Sequence, residues 1–202
     1  MLRLITAPTV EPLTLAEVKA HLRVDHTDED SLIAIYLAAA RANVDGPEGF
    51  LGRALVTQVW ELVLDAFPEN EIKIPLPPLQ SVDAIRYDDT AGNEQIVPTN
   101  NYFVDTVSEP GWVVGMKGST WPTPMDAVNT VRIRFTAGYA PTNDSPPDLR
   151  ANIPFDIKAA ILLHVGSMYE NREEVVVGGI IGQLPWGAEA LLRPRRVQLG
   201  MA

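Results

Sequence analysis

Cysteine is missing from all 202 residues, which excludes disulfides and thiolate metal sites and fits a cytoplasmic origin. Histidine is nearly as scarce, with only His21, His26 and His164. Long apolar runs are also absent. The longest stretch free of Asp, Glu, Lys and Arg is Val175–Ala188, broken by glycines and Pro185. It falls short of the roughly 20 apolar residues a membrane helix needs, so no membrane partner is expected. The start, M-L-R-L-I-T-A-P-T-V-E-P, reads as no signal peptide, because its apolar run is short and is stopped by Pro8, Glu11 and Pro12. Positive charge is in deficit: 16 Lys and Arg face 26 acids, for a net charge of −10. A protein that grips phosphate leans the other way, and acidity by itself most often serves solubility.

Catalytic signatures are lacking as well. There is no G-x-S-x-G, no P-loop and no G-x-G-x-x-G. Gly178-Gly179-Ile180-Ile181-Gly182 is glycine-rich, but neither a lysine nor a helix start follows it. His21, Asp25 and His26 lie close in sequence, yet a zinc site needs further ligands and a different spacing. Asp25, Asp28, Glu29 and Asp30 lack the loop glycine and distal Glu of a calcium loop. Arg132 and Arg134 alternate along a strand pattern and read as a solvated face rather than an anion site. His164 reads as a satisfied core histidine. No catalytic, cofactor or metal residues are therefore assigned.

What is present is organised around residues 154–174. Ile157, Ile161, Val165 and Met168 repeat at the spacing of one helical face, and Ala159, Ala160, Leu162, Leu163 and Tyr169 fill most of the others. A helix apolar nearly all round is expected to be buried. Gly166, in mid-helix, predicts a close approach by a neighbouring backbone.

In chain order, residues 1–12 read as extended. Thr14 with Glu17 makes a capping box for a short helix. Thr27 is expected to open a second helix over 27–45, with Asp28, Glu29 and Asp30 in its first turn. Period-2 alternation then takes over at Val59–Asp65, Glu71–Ile74, Val82–Tyr87, Gln95–Val97, Tyr102–Asp105, Trp112–Met116 and Val131–Phe135. Asp88–Asn93 is a hairpin turn. The expected fold class is α+β: a small helical bundle (N-terminal helices plus a central C-terminal helix) with an inserted antiparallel β-region. The expected segments are 1–55 for the first helices, 56–140 for the insertion, 141–174 for the loop and core helix, and 175–202 for a C-terminal arm.

Several motifs recur together in order: L-T-L-A-E-V-K-A-H-L-R-V at 13–24, D-E-D-S-L-I at 28–33, P-L-P-P-L-Q-S-V at 75–82, V-R-I-R-F-T-A-G-Y at 131–139, D-I-K-A-A-I-L-L-H-V-G at 156–166 and Y-E-N-R-E at 169–173. The set resembles the head–tail connector (adaptor) proteins of long-tailed bacteriophages and of phage-derived gene transfer agents, over nearly the whole chain. The resemblance implies a ring, twelve-fold in relatives, that sits beneath the portal protein, contacts neighbouring copies and a stopper or tail-proximal neck protein, and lets DNA pass without specific binding. It implies a place in the virion neck after synthesis in the bacterial cytoplasm, and no catalysis. Residues 110–130 and 178–182 depart from the family pattern. The alternative is a small binding module or enzyme built on the β-region with Tyr102, Trp112 and Trp121.

The arm holds the remaining signals. Gly178-Gly179 between Val175–Val177 and Ile180-Ile181 predicts a hairpin. Beyond it come Trp186, a short helix ending in Leu191 and Leu192, and then Arg193, Arg195 and Arg196. Tryptophan and arginine are enriched in binding hot spots, so Trp186, Leu191, Leu192, Arg193, Arg195 and Arg196 are the expected partner-binding residues. Removal of 184–202 is expected to leave helical content and melting nearly unchanged while heads fail to acquire tails. A twelve-membered ring of chains at −10 each would carry about −120 before screening. The free protein should therefore give no duplex DNA shift at low micromolar concentration near physiological salt. A salt-sensitive shift under those conditions would contradict this.

Overall fold

The computed structural model describes residues 1–172, 175–176, 179–180 and 185–197. Its elements run β1 (Leu2–Thr6), α1 (Leu15–Leu22), α2 (Asp30–Ala42), β2 (Gln58–Leu64), β3 (Ile72–Ile74), β4 (Leu79–Asp88), β5 (Glu94–Ile96), β6 (Tyr102–Asp105), β7 (Gly111–Gly115), β8 (Val131–Ala137), α3 (Phe155–Glu170), β9 (Val175–Val176), β10 (Gly179–Ile180) and α4 (Trp186–Leu192). The fold class is α+β. The chain forms two units: residues 1–9 with 57–140, and residues 10–56 with 141–202.

The first unit is built on β8. Val131, Ile133, Phe135 and Ala137 are fully buried on one face, while Arg132 and Arg134 face the other way, as the alternation predicts. β8 lies in the middle of a five-stranded antiparallel sheet of order β1-β2-β8-β4-β5. Residues 1–9, expected with the helices, instead supply its edge strand, with Leu2 opposite Leu62. The reason lies in β2. Glu61 is buried, contrary to the single apolar face expected there, and a buried carboxylate needs partners. β1 brings Arg3 to 2.7 Å from it, and β8 brings Arg134 to 3.4 Å from the other side. Further along the same sheet, Asp88 and Glu94 pair with Arg132, and Glu94 also pairs with Arg86 at 2.7 Å. The two strand arginines are thus neutralised by cross-strand acids. The predicted hairpin turn forms between β4 and β5, with the Asp89 carboxylate accepting from the amides of Ala91 and Asn93 and Gly92 at φ 82°.

A second sheet, β3-β7-β6, belongs to the same unit. It comes close to β4 at Gly111, where an added Cβ would lie 2.5 Å from Cδ2 and 2.9 Å from Cβ of Leu79. Only glycine fits such an approach without moving the strand.

In the second unit, the predicted capping box forms: the Thr14 hydroxyl accepts from the Glu17 amide, and the Thr14 amide donates to the Glu17 carboxylate. α2 starts at Asp30, three residues later than expected, with Glu29 as its N-cap. The Glu29 carboxylate is held instead by the end of α3. The Tyr169 hydroxyl donates to it, and Arg172 lies 2.6 Å from it while stacking on the Tyr169 ring. Those hydrogen bonds, Tyr169 first and Arg172 next, hold the Glu29 carboxyl below the usual carboxylate range. The Y-E-N-R motif thus clasps two helices together.

α3 packs on α1, α2 and α4. It buries Ile157, Ala160, Ile161, His164 and Val165, a stripe at helical spacing. The expectation of burial all round is not met, because Phe155 and Leu163 are exposed. The approach at Gly166 comes from a side chain rather than a backbone. Nε2 of His21 lies 3.2 Å from where a Cβ would sit. His164 is buried, but its Nδ1 has no hydrogen-bond partner, so it is not the satisfied histidine expected. Burial holds its pKa below the ordinary histidine value.

That shift sets a pH dependence. The unfolded chain takes up a proton at His164 near pH 6.5, whereas the folded chain resists it. The contribution is therefore fully present above that pH and is lost as pH falls below it. Chemical denaturation from pH 7.5 to 5 should show stability declining through this window, and His164→Gln should flatten the decline. An unchanged slope would show that other groups carry it.

Candidate functional site

The described C-terminal residues, 185–197, close onto their own unit. Ala188 and Leu192 of α4 are fully buried, and α4 packs on α3. The chain then turns through a 3-10 segment, Arg193–Arg195. The buried Arg53 donates to the Arg195 carbonyl, and the Val197 amide donates to the Leu51 carbonyl at 2.9 Å. Arg195 pairs with Asp156 of α3 at 2.9 Å, and Arg193 pairs with Glu189 one turn back at 2.9 Å. The Arg196 guanidinium stacks over the Phe50 ring, 4.9 Å from its centre. β9 and β10 pair antiparallel, as the Gly-Gly signal predicts, with Gly179 opposite Val176.

The expected partner-binding residues therefore divide. Leu192 is an internal anchor and faces no partner. Arg195 is committed to Asp156. Leu191 is half-buried. Trp186 projects at 84% exposure, and Arg193 and Arg196 line an open polar hollow with Phe50 and Glu189. A sequence pattern shows that leucines and arginines cluster here but not which of them the chain uses on itself. The residues missed on sequence grounds are Phe50 and Arg53, which lie between the second helix and the first long strand.

The other candidates fare differently. Among the described residues no group of three His, Asp or Glu side chains is placed to hold a metal ion, so His21, Asp25 and His26 do not combine. In the first unit, Tyr102 is buried and Trp112 is half-buried. Trp121 stacks on Phe67 at 5.1 Å with rings 3° from parallel, and its indole N–H donates to the Asn70 carbonyl at 3.4 Å. The aromatics named for a binding module thus mostly serve packing. A groove of about 600 Å³ does open beside them, walled by Phe67, Trp121, Pro122 and Pro124, with Glu69 and Glu71 on its lining. No histidine, lysine or arginine lines it.

Residues 12–103 match the family model described as Phage gp6-like head–tail connector protein. The fold is similar to a chain in the neck of an empty gene transfer agent particle solved with six-fold symmetry. The TM-score is 0.77 at 27% identity, covering 100% of this chain and 98% of that one. The stretch 12–103 of the chain is similar to the head–tail connector family. A chain of the native gene transfer agent virion is similar at TM-score 0.76 and 27% identity, with the same coverage. A chain of the native particle neck solved with twelve-fold symmetry is similar at TM-score 0.68 and 25% identity. No curated protein sequence matches. The family match covers α1, α2, β2 to β5 and the first half of β6, and the fold matches add the remainder, including β1, α3 and α4.

The packing of α4 revises the expectation for the truncated chain. Leu192→Ala should lower unfolding free energy by about 2–5 kcal/mol, as deletion of a buried leucine does. Deletion of 185–202 should lower the melting temperature, because it uncovers the α3 face. Trp186→Ala should leave both unchanged. Denaturant titration and calorimetry check all three, and a full-stability truncation would show that α4 is not part of the folded unit.

Proposed function

We propose that this chain is a structural head–tail connector subunit, a ring component beneath the portal that extends the DNA channel and joins capsid to tail. The observation that carries this is the full-length likeness to gene transfer agent neck chains at 27% identity. The proposed partners are the portal protein, neighbouring copies in a twelve-membered ring, and a stopper or tail-proximal neck protein. Support for the ring comes from the six-fold and twelve-fold symmetry with which the similar necks were solved. DNA passes through without specific binding, in keeping with the net charge of −10. The chain performs no catalysis, works in the neck of a phage or phage-like particle and is made in the bacterial cytoplasm.

The arm supplies the portal contact. Trp186 and the exposed part of Leu191 are its apolar anchors, with Arg193 and Arg196 turned toward partner acids. Arg196 suits this role because no acid of its own chain pairs with it among the described residues, and arginine is the cation best suited to desolvated interfaces. Trp186 is one of the large apolar side chains that the unit leaves outside its core, along with Ile35, Phe155 and Leu163.

Imaging the neck of the particle that carries this protein tests the reading. A ring of this fold should lie between portal and tail, with the arm against the portal, and Trp186→Ala should reduce tail attachment without changing the melting temperature. Absence of the chain from the particle, or a position outside the neck, would overturn it. Light scattering on the free chain should give a monomer, since like charges oppose self-association.

A further inference from the structure

We propose that the outward face of α2 is the contact between neighbouring copies of this chain, with Ile35 entering an apolar groove along α1 of the next copy. The proposal rests on the ring reading above. α2 buries Ile33, Leu37 and Ala40 inside its unit. Its other side presents Ala34, Ile35, Ala38, Ala39 and Ala42, with no charged residue among them. Ile35 is 64% exposed, on a chain with 26 acids available for surface positions. Flanked by alanines, it stands out from the helix as an apolar projection, and short neighbours let another helix approach closely.

A matching recess exists in the same unit. Leu15, Ala16, Ala20 and Val24 wall an open groove, with the Lys19–Asp30 ion pair at 2.6 Å completing its lining. Ile35 does not line this groove, so the projection does not fill its own chain's recess. A closed ring of identical subunits needs this kind of arrangement. Its contact is heterologous, so each copy carries two different and complementary patches. Both patches lack unpaired charge, and between copies at −10 each such patches are where approach meets the least repulsion. A second copy is therefore the occupant that the chemistry and the symmetry of the similar necks favour together.

The absence of native cysteine makes a clean test possible. Ile35→Cys and Ala20→Cys are introduced singly and together, and particles carrying each variant are purified and oxidised. The double variant should yield a ladder of disulfide-linked oligomers of this chain, and each single variant none. Three results would overturn the proposal: dimers from Ile35→Cys alone, which mean a face meeting its own symmetry mate; a link from the thiol introduced on α2 to the portal or another neck protein; or no ladder from particles that contain the chain. If the chain is absent from particles, the ring reading itself fails, and gel analysis before oxidation separates that case. As a second variant, Ile35→Asp should leave the melting curve of the free chain unchanged and reduce tailed particles by about tenfold or more, the scale expected for losing a buried isoleucine contact. Normal tailing by Ile35→Asp would also overturn the proposal.

Discussion

The helical unit depends on the buried stripe of α3. Ile157, Ala160, Ile161, His164 and Val165 give α1, α2 and α4 a common surface. Isolated helices as short as α1 and α4 are marginal in water, and their stability comes from packing. The interactions around that stripe act as supports. The Thr14–Glu17 box starts α1, Tyr169 and Arg172 hold Glu29 at the start of α2, and Arg195 ties the chain after α4 to Asp156. Each links an element to α3 or sets its direction. A histidine within the stripe, with an unpaired Nδ1, is the one polar flaw in that surface. Burial holds its pKa down, so the stability of the unit is expected to fall in mild acid.

The sheet unit solves a different problem. Its central strand β8 alternates strictly, so the arginines that keep the outer face wet must be neutralised where strands crowd together. Glu61, Asp88 and Glu94 do this from three other strands. Exposed pairs of this kind contribute little individually. Glu61 is buried, and removing one of its arginines would leave a carboxylate short of partners. The pairing also consumes the charges that an anion would otherwise bind. Among the described residues the outer face of that sheet is not left positive for that reason.

Exposed apolar side chains stand out on the helical unit. The sides of α3 and α4 expose Phe155, Leu163 and Trp186, and α2 exposes Ile35. These apolar groups lie on an acidic chain whose charge discourages indiscriminate association. Apolar patches on a like-charged background favour specific over indiscriminate association.

Much of this was legible in the sequence. Period 3.6 and period 2 located α1, α3 and β8, because side-chain direction along helix and strand is local geometry. The capping box and the Asp88–Asn93 turn were equally plain, since their hydrogen bonds span only a few residues. The ordered motifs pointed to the connector family, and the charge balance argued against DNA binding. Tertiary structure decided what depends on partners distant in sequence. It assigned residues 1–9 to the sheet, because Glu61 needed Arg3 across 58 positions. It moved the start of α2 from Thr27 to Asp30, because Glu29 is engaged by residues 140 positions away. It turned Leu192 inward and Trp186 outward, although both read as anchors. Local pattern records which face a residue occupies on its own element. Which face finds a partner is a property of packing, and only the folded chain contains it.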